Sequence, residues 1–354
     1  AKDIPLYAGE IKKYIKGNPE AVLMVEFIDD DLDVARKKLK DLESLIKFDN
    51  QKNDFTAYEN LNDQKAVFEI RKAGLNILMS MKGDKKGVAF IEDCAVTLEN
   101  LADYTERLRD VFRKYNTEGL FYAHASVGTL HVRPILNAKS EQDIKNMKAI
   151  AQEAFAMVKE YKGSHSGEHG DGIVRSEFHE MMFGKKIVGA FEEIKDTFDP
   201  KGLLNPGKIV RAFKSDDRTL MRYKPGYKAE NISTHYDWSA WGQLSDAVEM
   251  CNNNGACRKL DSGVMCPSYR VTMEEKDLVR GRANTLRLAL SNQLPEGSFA
   301  SKEMFETMEL CVSCKACQRE CPMSVDMAKM KSEFLSHYYK KFTMGIKDRI
   351  ISDM

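Results

Sequence analysis

Seven of the eight cysteines fall between Cys251 and Cys321, and the last four are spaced Cys311-x2-Cys314-x2-Cys317-x3-Cys321-Pro322. Thiolates this close on a tight loop hold three irons of one cubane, while the fourth cysteine reaches a second cluster. A zinc knuckle or a set of free buried thiols is the competing reading. The earlier group is Cys251-x5-Cys257-x8-Cys266-Pro267, with Asn254 where a second cysteine would stand. Under the swapped-ligand rule, Cys311, Cys314, Cys317 and Cys266 complete one [4Fe–4S] cluster. Cys251, Cys257 and Cys321 leave the other one thiolate short. It is then a [3Fe–4S] centre, a [4Fe–4S] cluster with a non-cysteine ligand or water, or an empty site. Cys94 stands apart and reads as a buried hydrophobe.

The 354 residues are enough for about two domains. The 54 basic and 54 acidic side chains give a formal net charge of zero, which excludes a generally basic nucleic-acid binder. No apolar run approaches the ~18 residues of a membrane span. The start, Ala1-Lys2-Asp3-Ile4-Pro5, has no apolar signal core. Clustered cysteines without a secretory signal favour metal or redox duty over disulfides. A cytoplasmic protein is expected, or one peripheral on the inner face of a membrane.

Short apolar runs alternate with helical periodicity in the first two hundred residues. Residues 21–28 read as a buried strand, and Leu32, Ala35, Leu39, Leu42 and Ile46 as a helix. A further helix runs through Val67 and Ile70 to Ile77, a strand lies near Val88–Ile91, and another helix carries Leu98, Leu101, Leu108 and Phe112. Residues 119–124 and 129–135 form two strands around a short turn. Ser140–Asp143 resembles a capping box opening a long helix. The pattern predicts an α+β region, its sheet covered by helices on one face. No GxGxxG or Walker loop is present. Residues 211–245 read as a linker, and the chain beyond them as helical.

Four of the seven histidines lie between His124 and His169. Hairpin pairing would bring His124 and His131 to one end of a sheet. The glycines of Gly163-Ser164-His165-Ser166-Gly167-Glu168-His169-Gly170-Asp171-Gly172 would let this backbone approach a ligand closely. Two imidazoles and a carboxylate make a three-ligand metal site with an open position for substrate. With Glu168 as ligand, His169 is left as a candidate base. His165 is a weaker candidate, and His179 reads as a surface or core residue.

Residues 124–131 (His-Ala-Ser-Val-Gly-Thr-Leu-His), 166–170 (Ser-Gly-Glu-His-Gly) and 198–208 (Phe-Asp-Pro-Lys-Gly-Leu-Leu-Asn-Pro-Gly-Lys) resemble the FAD-linked oxidase C-terminal domain of the glycolate oxidase, D-lactate and D-2-hydroxyglutarate dehydrogenase family. The cysteine region, with Gly281–Arg287, is similar to the ferredoxin-type segment fused behind that domain in long members. The resemblance implies an α+β domain over 1–210, a linker over 211–245, an α-helical ferredoxin-like domain over 246–341, and the start of a following segment over 342–354. It implies a divalent metal, usually zinc, on His124, His131 and Glu168, with His169 taking the substrate hydroxyl proton. It also implies FAD as hydride acceptor. Arg71 matches the arginine that pairs with the substrate carboxylate, and Asn205 lies in the flavin-facing segment. Arg133 stands where the D-2-hydroxyglutarate enzymes have asparagine, and could bind a distal carboxylate.

In that family a flavin-binding half precedes this domain. The chain therefore reads as an internal fragment of a longer enzyme or one piece of a split complex, inactive without that half. The expected reaction is oxidation of a D-2-hydroxy acid, with electrons passing from FAD through iron–sulfur clusters to a quinone or other carrier. The competing reading is an electron-transfer subunit whose α+β domain only docks a partner. A metal-dependent hydrolase would leave the cysteine run without a purpose.

Overall fold

A computed structural model describes residues 5–48, 55–261, 263–346 and 349–350. The expectations made at Ala1–Ile4 and at the end of the 342–354 segment lie outside those residues. The chain divides into two compact units, Ala1–Leu78 and Met79–Met354.

In the first unit, α2 (Leu32–Phe48) and α3 (Leu61–Met79) follow the expected helical periodicities, and α1 (Pro5–Tyr14) is a helix the sequence reading did not single out. The Tyr14 hydroxyl donates to Asp63 Oδ1 at 2.8 Å, and Tyr58 donates to the Tyr14 carbonyl, joining α1 to α3. Residues 21–28 are not a buried strand. They form no regular element, and Leu23 and Ile28 are 77% and 81% exposed. An apolar run becomes a strand only where a neighbouring edge takes its backbone hydrogen bonds, and no described strand pairs with this one.

The second unit is built around one strand. β1 (Lys85–Gly87), β2 (Cys94–Ala95) and β3 (Gly119–His124) all pair antiparallel with β4 (Thr129–Asn137). Val88–Ile91 is not a strand. Pairing ends beside Val88, and the chain turns into a loop that buries Phe90 and Ile91 and ends at Asp93 with φ +78°. The alternation of β4 sends Leu130, Val132 and Leu136 into a core with α4 (Leu98–Lys114) and α5 (Glu141–Glu160). Cys94 is fully buried there, and burial pushes its thiol up to about 12. The Ser140 hydroxyl caps α5 by accepting from Asp143 N–H, while the Asp143 carboxylate accepts from Asn137 N–H instead of closing the capping box.

The β3–β4 turn depends on Gly128. Its φ is +70°, and a Cβ there would lie 1.8 Å from the Val96 carbonyl. Gly163 is likewise required against β2, where a Cβ would meet the Ala95 carbonyl at 2.2 Å. That glycine serves sheet packing, where the sequence suggested approach to a ligand. Three helices complete this region: α6 (Gly172–Ser176), α7 (His179–Phe183) and α8 (Lys185–Phe198).

Residues 211–245 contain one turn of 3-10 helix and are held by specific contacts. Arg222 donates to the Cys251 carbonyl, and Trp238 is buried in the core of the cysteine region. Helices α9 (Leu244–Glu249), α10 (Pro267–Thr272), α11 (Val279–Leu290), α12 (Lys302–Glu309), α13 (Ala316–Glu320) and α14 (Met327–Lys341) surround that core. Lys139, just beyond β4, joins sheet to helices through Asp84 and Glu249, both at 2.7 Å. The whole is a helix-rich α+β chain with a small antiparallel sheet followed by an all-helical cysteine domain.

Glu177 ties the segment after α8 to α5. Burial opposes its charge, but Ser215 N–H, Lys214, Lys148 and the Ser215 hydroxyl outweigh this and lower it from 4.5 to about 2. A carboxylate lowered on folding stabilises above its unfolded value, and that contribution is lost as pH falls from 4.5 through about 2. Glu177→Gln should cost about 2 kcal/mol at pH 7. In urea unfolding, the gap from wild type should narrow steadily below pH 4.5.

Candidate functional site

The hairpin register decides where the imidazoles point. His124 pairs with Thr129 and Tyr122 with His131, so His124 and His131 share one face of the sheet, opposite the helices. The loop after α5 crosses that face, pinned by the Ala95–Ser164 bridge and by Gly167 N–H donating to the Asp93 carbonyl at 2.7 Å. It carries Glu168 and His169.

Glu168 Oε1 lies 3.0 Å from His131 Nε2, 3.4 Å from His124 Nε2 and 3.5 Å from His169 Nε2. The His131 and His169 rings stack with centroids 5.0 Å apart. His131 is buried, and burial pushes its imidazole down, favouring the neutral ring that ligates metals. Three imidazole nitrogens and one carboxylate oxygen are thereby brought together. This donor set fits a divalent ion. The buried His131 Nδ1 has no hydrogen-bond partner and faces Glu92 Oε1 at 3.9 Å, the side on which ligating imidazoles are oriented.

Two residues missed in the sequence hold this arrangement. Asp93 is fully buried, and its carboxylate accepts from Glu168 N–H at 2.9 Å and His169 N–H at 2.7 Å. Burial raises the Asp93 carboxyl, but these two donors and the charges of His169 and Arg175 outweigh it and leave it lowered. Asp93 also falls within the compact donor group of His131, Glu168 and His169. Its oxygens are already committed to backbone N–H groups, so it acts as the anchor of the loop. Glu92 pairs with Arg133 at 2.7 Å. The available signal was two adjacent acids ending an apolar run, an unusual cost in a half-buried strand.

Phe90, Glu92, Arg133, His169, Asp171 and Arg175 line a cleft beside these rings. Arg175 is buried and donates to the Glu92 and Gly170 carbonyls. Asn205 sits apart on an exposed loop after α8, with φ +46° and its Oδ1 3.4 Å from Lys208 Nζ. Arg71 stands on α3 in the first unit.

Cys266, Cys311, Cys314 and Cys317 line one cavity, together with Pro267 and Arg282. Burial and the neighbouring Cys317 and Cys257 push Cys266 up to about 12. Burial, Asp326 and Cys311 push Cys317 up to about 11. The second group consists of Cys251, Cys257 and Cys321. Burial raises all three, and Cys257 is raised further by the other two. Thiols packed this closely resist ionisation until a metal takes their protons' place, which fits iron–sulfur ligation. The fully buried Arg282 on the cavity wall donates to the Thr307 carbonyl and the Ser268 hydroxyl, pairs with the buried Asp277 at 3.5 Å and keeps Nη1 without a hydrogen-bond partner. Asn254 is folded into its own turn, accepting from Ala256 N–H and donating to Asn252 Oδ1.

Residues 7–209 match the family described as FAD linked oxidases, C-terminal domain, and residues 247–325 match the 4Fe-4S dicluster domain. The chain belongs to the FAD-linked oxidase C-terminal domain family. Among curated proteins it is similar to D-2-hydroxyglutarate dehydrogenase of Pantoea ananatis, 29% identical over 83% of this chain and 32% of that protein. The D-2-hydroxyglutarate dehydrogenase of Pseudomonas putida is 28% identical over 100% of this chain and 38% of its own length. A D-lactate dehydrogenase of Archaeoglobus fulgidus is 28% identical over 56% of this chain and 41% of its own. The chain spans about a third of the length of the D-2-hydroxyglutarate dehydrogenases it matches.

Asp93→Ala would leave two backbone N–H groups and Arg175 without their carboxylate. It should cost about 3–5 kcal/mol in urea unfolding. Asp93→Asn, which keeps one acceptor oxygen, should cost less. A loss below about 1 kcal/mol for the alanine variant would contradict the anchoring role.

Proposed function

We propose that this chain is the substrate and electron-transfer portion of an FAD- and iron–sulfur-dependent dehydrogenase that oxidises a D-2-hydroxy acid to the 2-oxo acid. The observation that carries the reading is the convergence of three imidazole Nε2 atoms on Glu168 Oε1. In this reading His124, His131 and Glu168 hold a divalent metal, zinc by family usage. Bound there, the ion would polarise the substrate hydroxyl, and a flavin on another domain would accept hydride from C2.

His169 takes the hydroxyl proton at Nε2, its ring steered by Asp93 through the backbone and by stacking on His131. Arg71 is assigned to the substrate carboxylate, Arg133 to a second polar group, and Asn205 to the flavin side. Iron–sulfur clusters held by the cysteines would pass single electrons onward to a quinone or another carrier. Cys266, Cys311, Cys314 and Cys317 take a [4Fe–4S] cluster. Cys251, Cys257 and Cys321 take a [3Fe–4S] centre, because the Asn254 side chain is spent within its own turn. The domain limits 1–210, 211–245 and 246–341 follow from this division of labour. We place the protein in the cytoplasm.

Reassembled with its flavin-binding half, the enzyme should reduce flavin with D-lactate or D-2-hydroxyglutarate in stopped-flow absorbance. His169→Ala, with its metal retained, should slow that reduction roughly 10²–10⁴-fold. An unchanged rate would remove the base assignment. Iron analysis and electron paramagnetic resonance test the clusters separately. The chain should hold about seven irons, four plus three, with an oxidised three-iron signal. Asn254→Cys should raise the content to about eight and abolish that signal. Eight irons in the unsubstituted chain would contradict the three-iron assignment.

A further inference from the structure

His165, Asp171 and His179 form a second donor group, separate from Glu168 and its imidazoles. His165 Nε2 lies 3.3 Å from Asp171 Oδ1, and His179 Nε2 lies 2.8 Å from Asp171 Oδ2. One donor atom from each residue lies within 4.8 Å of the other two. Both histidines are buried, His165 completely. Neither ring nitrogen of His165 has a hydrogen-bond partner, and Asp171 Oδ1 has none either. Each such group costs roughly 1–3 kcal/mol if nothing satisfies it.

His179 fixes the chemistry. Its Nδ1 lies 2.9 Å from the Ile209 carbonyl, which can only accept, so Nδ1 carries the hydrogen. In the neutral ring Nε2 then presents a lone pair to Asp171 Oδ2, and such an approach needs a cation or an added proton between the atoms. An imidazole donating one N–H to a backbone carbonyl while its other nitrogen faces a carboxylate is oriented as metal ligands are. Phe155 and Phe183 pack against His165 with ring centroids 5.3 and 5.6 Å away, and Phe191 packs against His179. These rings shield the two imidazoles, while Asp171 borders the cleft beside His169. The nearest competing cation is Arg175, with Nε 3.9 Å from Asp171 Oδ1. Its charge is offset by Asp93 on its other side, 3.5 Å from Nη1.

We propose that His165, Asp171 and His179 bind a second divalent cation of the zinc type through two imidazole nitrogens and the two carboxylate oxygens. Four nitrogen and oxygen donors from three residues meet zinc's preference for four-coordination. Asp171 follows His169 by two residues and immediately precedes α6, so the ion clamps the far end of the loop that Asp93 anchors at Glu168. It is a positioning ion and touches no substrate.

The test loads the whole chain, clusters included, with Zn2+, removes excess by desalting, and counts zinc by mass spectrometry. The unsubstituted chain should hold about two zinc ions, and His165→Gln, His179→Gln and Glu168→Gln should each lose about one. Crystals of the unsubstituted chain should give an anomalous peak between the His165 and His179 rings above the zinc edge and not below it, which separates zinc from iron. That map decides the matter if the variants fail to fold. A peak at Glu168 alone, or zinc content unchanged in both histidine variants, overturns the proposal and leaves a shared proton between His179 and Asp171. Loss of the peak at Glu168 alone would instead count against the catalytic reading and leave this site standing.

Discussion

The buried carboxylate of Asp93 is the contact on which the candidate site depends. It accepts the N–H groups of two consecutive residues, Glu168 and His169, while its own carbonyl accepts from Gly167. A loop has no ladder of its own to fix it, so three hydrogen bonds to one residue at the end of an otherwise apolar turn supply the register. Arg175 closes the same knot from behind, reaching the Glu92 and Gly170 carbonyls. Without the Asp93 carboxylate the histidines of the hairpin would remain on the sheet, but Glu168 and His169 would lose the acceptor that fixes their backbone over them, leaving the loop to the Ala95–Ser164 bridge and the Gly167 backbone bond.

The second constraint is the central position of β4. One face of that strand packs the core through Leu130, Val132 and Leu136, while the other carries His131 and Arg133. A one-residue slip would exchange the two sets, so packing energy and chemistry enforce the same register. Lys139, at the end of the strand, carries the order onward into α9 through Glu249. The cysteine region is thereby tied to the same sheet that presents the imidazoles.

Much of this was legible in the sequence because it rests on local spacing. Strand alternation around a short turn predicted the hairpin, and the cysteine intervals alone grouped Cys266 with Cys311, Cys314 and Cys317, which line one cavity. The parts that were not legible depend on partners distant in the chain. Residues 21–28 have the composition of a strand but no paired edge among the described residues. Asp93 and Glu92 looked like the end of a strand, and only the fold shows that loop 163–171 crosses above them. His165 read as a weaker candidate and His179 as a surface or core residue because Asp171, between them in the chain, becomes their common partner only when the short helices after it fold back.

In the proposed function, a divalent metal on His124, His131 and Glu168 assists the oxidation. The most direct measurement is stopped-flow flavin reduction by a D-2-hydroxy acid in the reassembled enzyme, before and after a chelator strips its divalent ions with the iron–sulfur content unchanged. Reduction should be lost on stripping and return when Zn2+ is restored. The same rate in stripped and loaded enzyme would contradict that role for the metal.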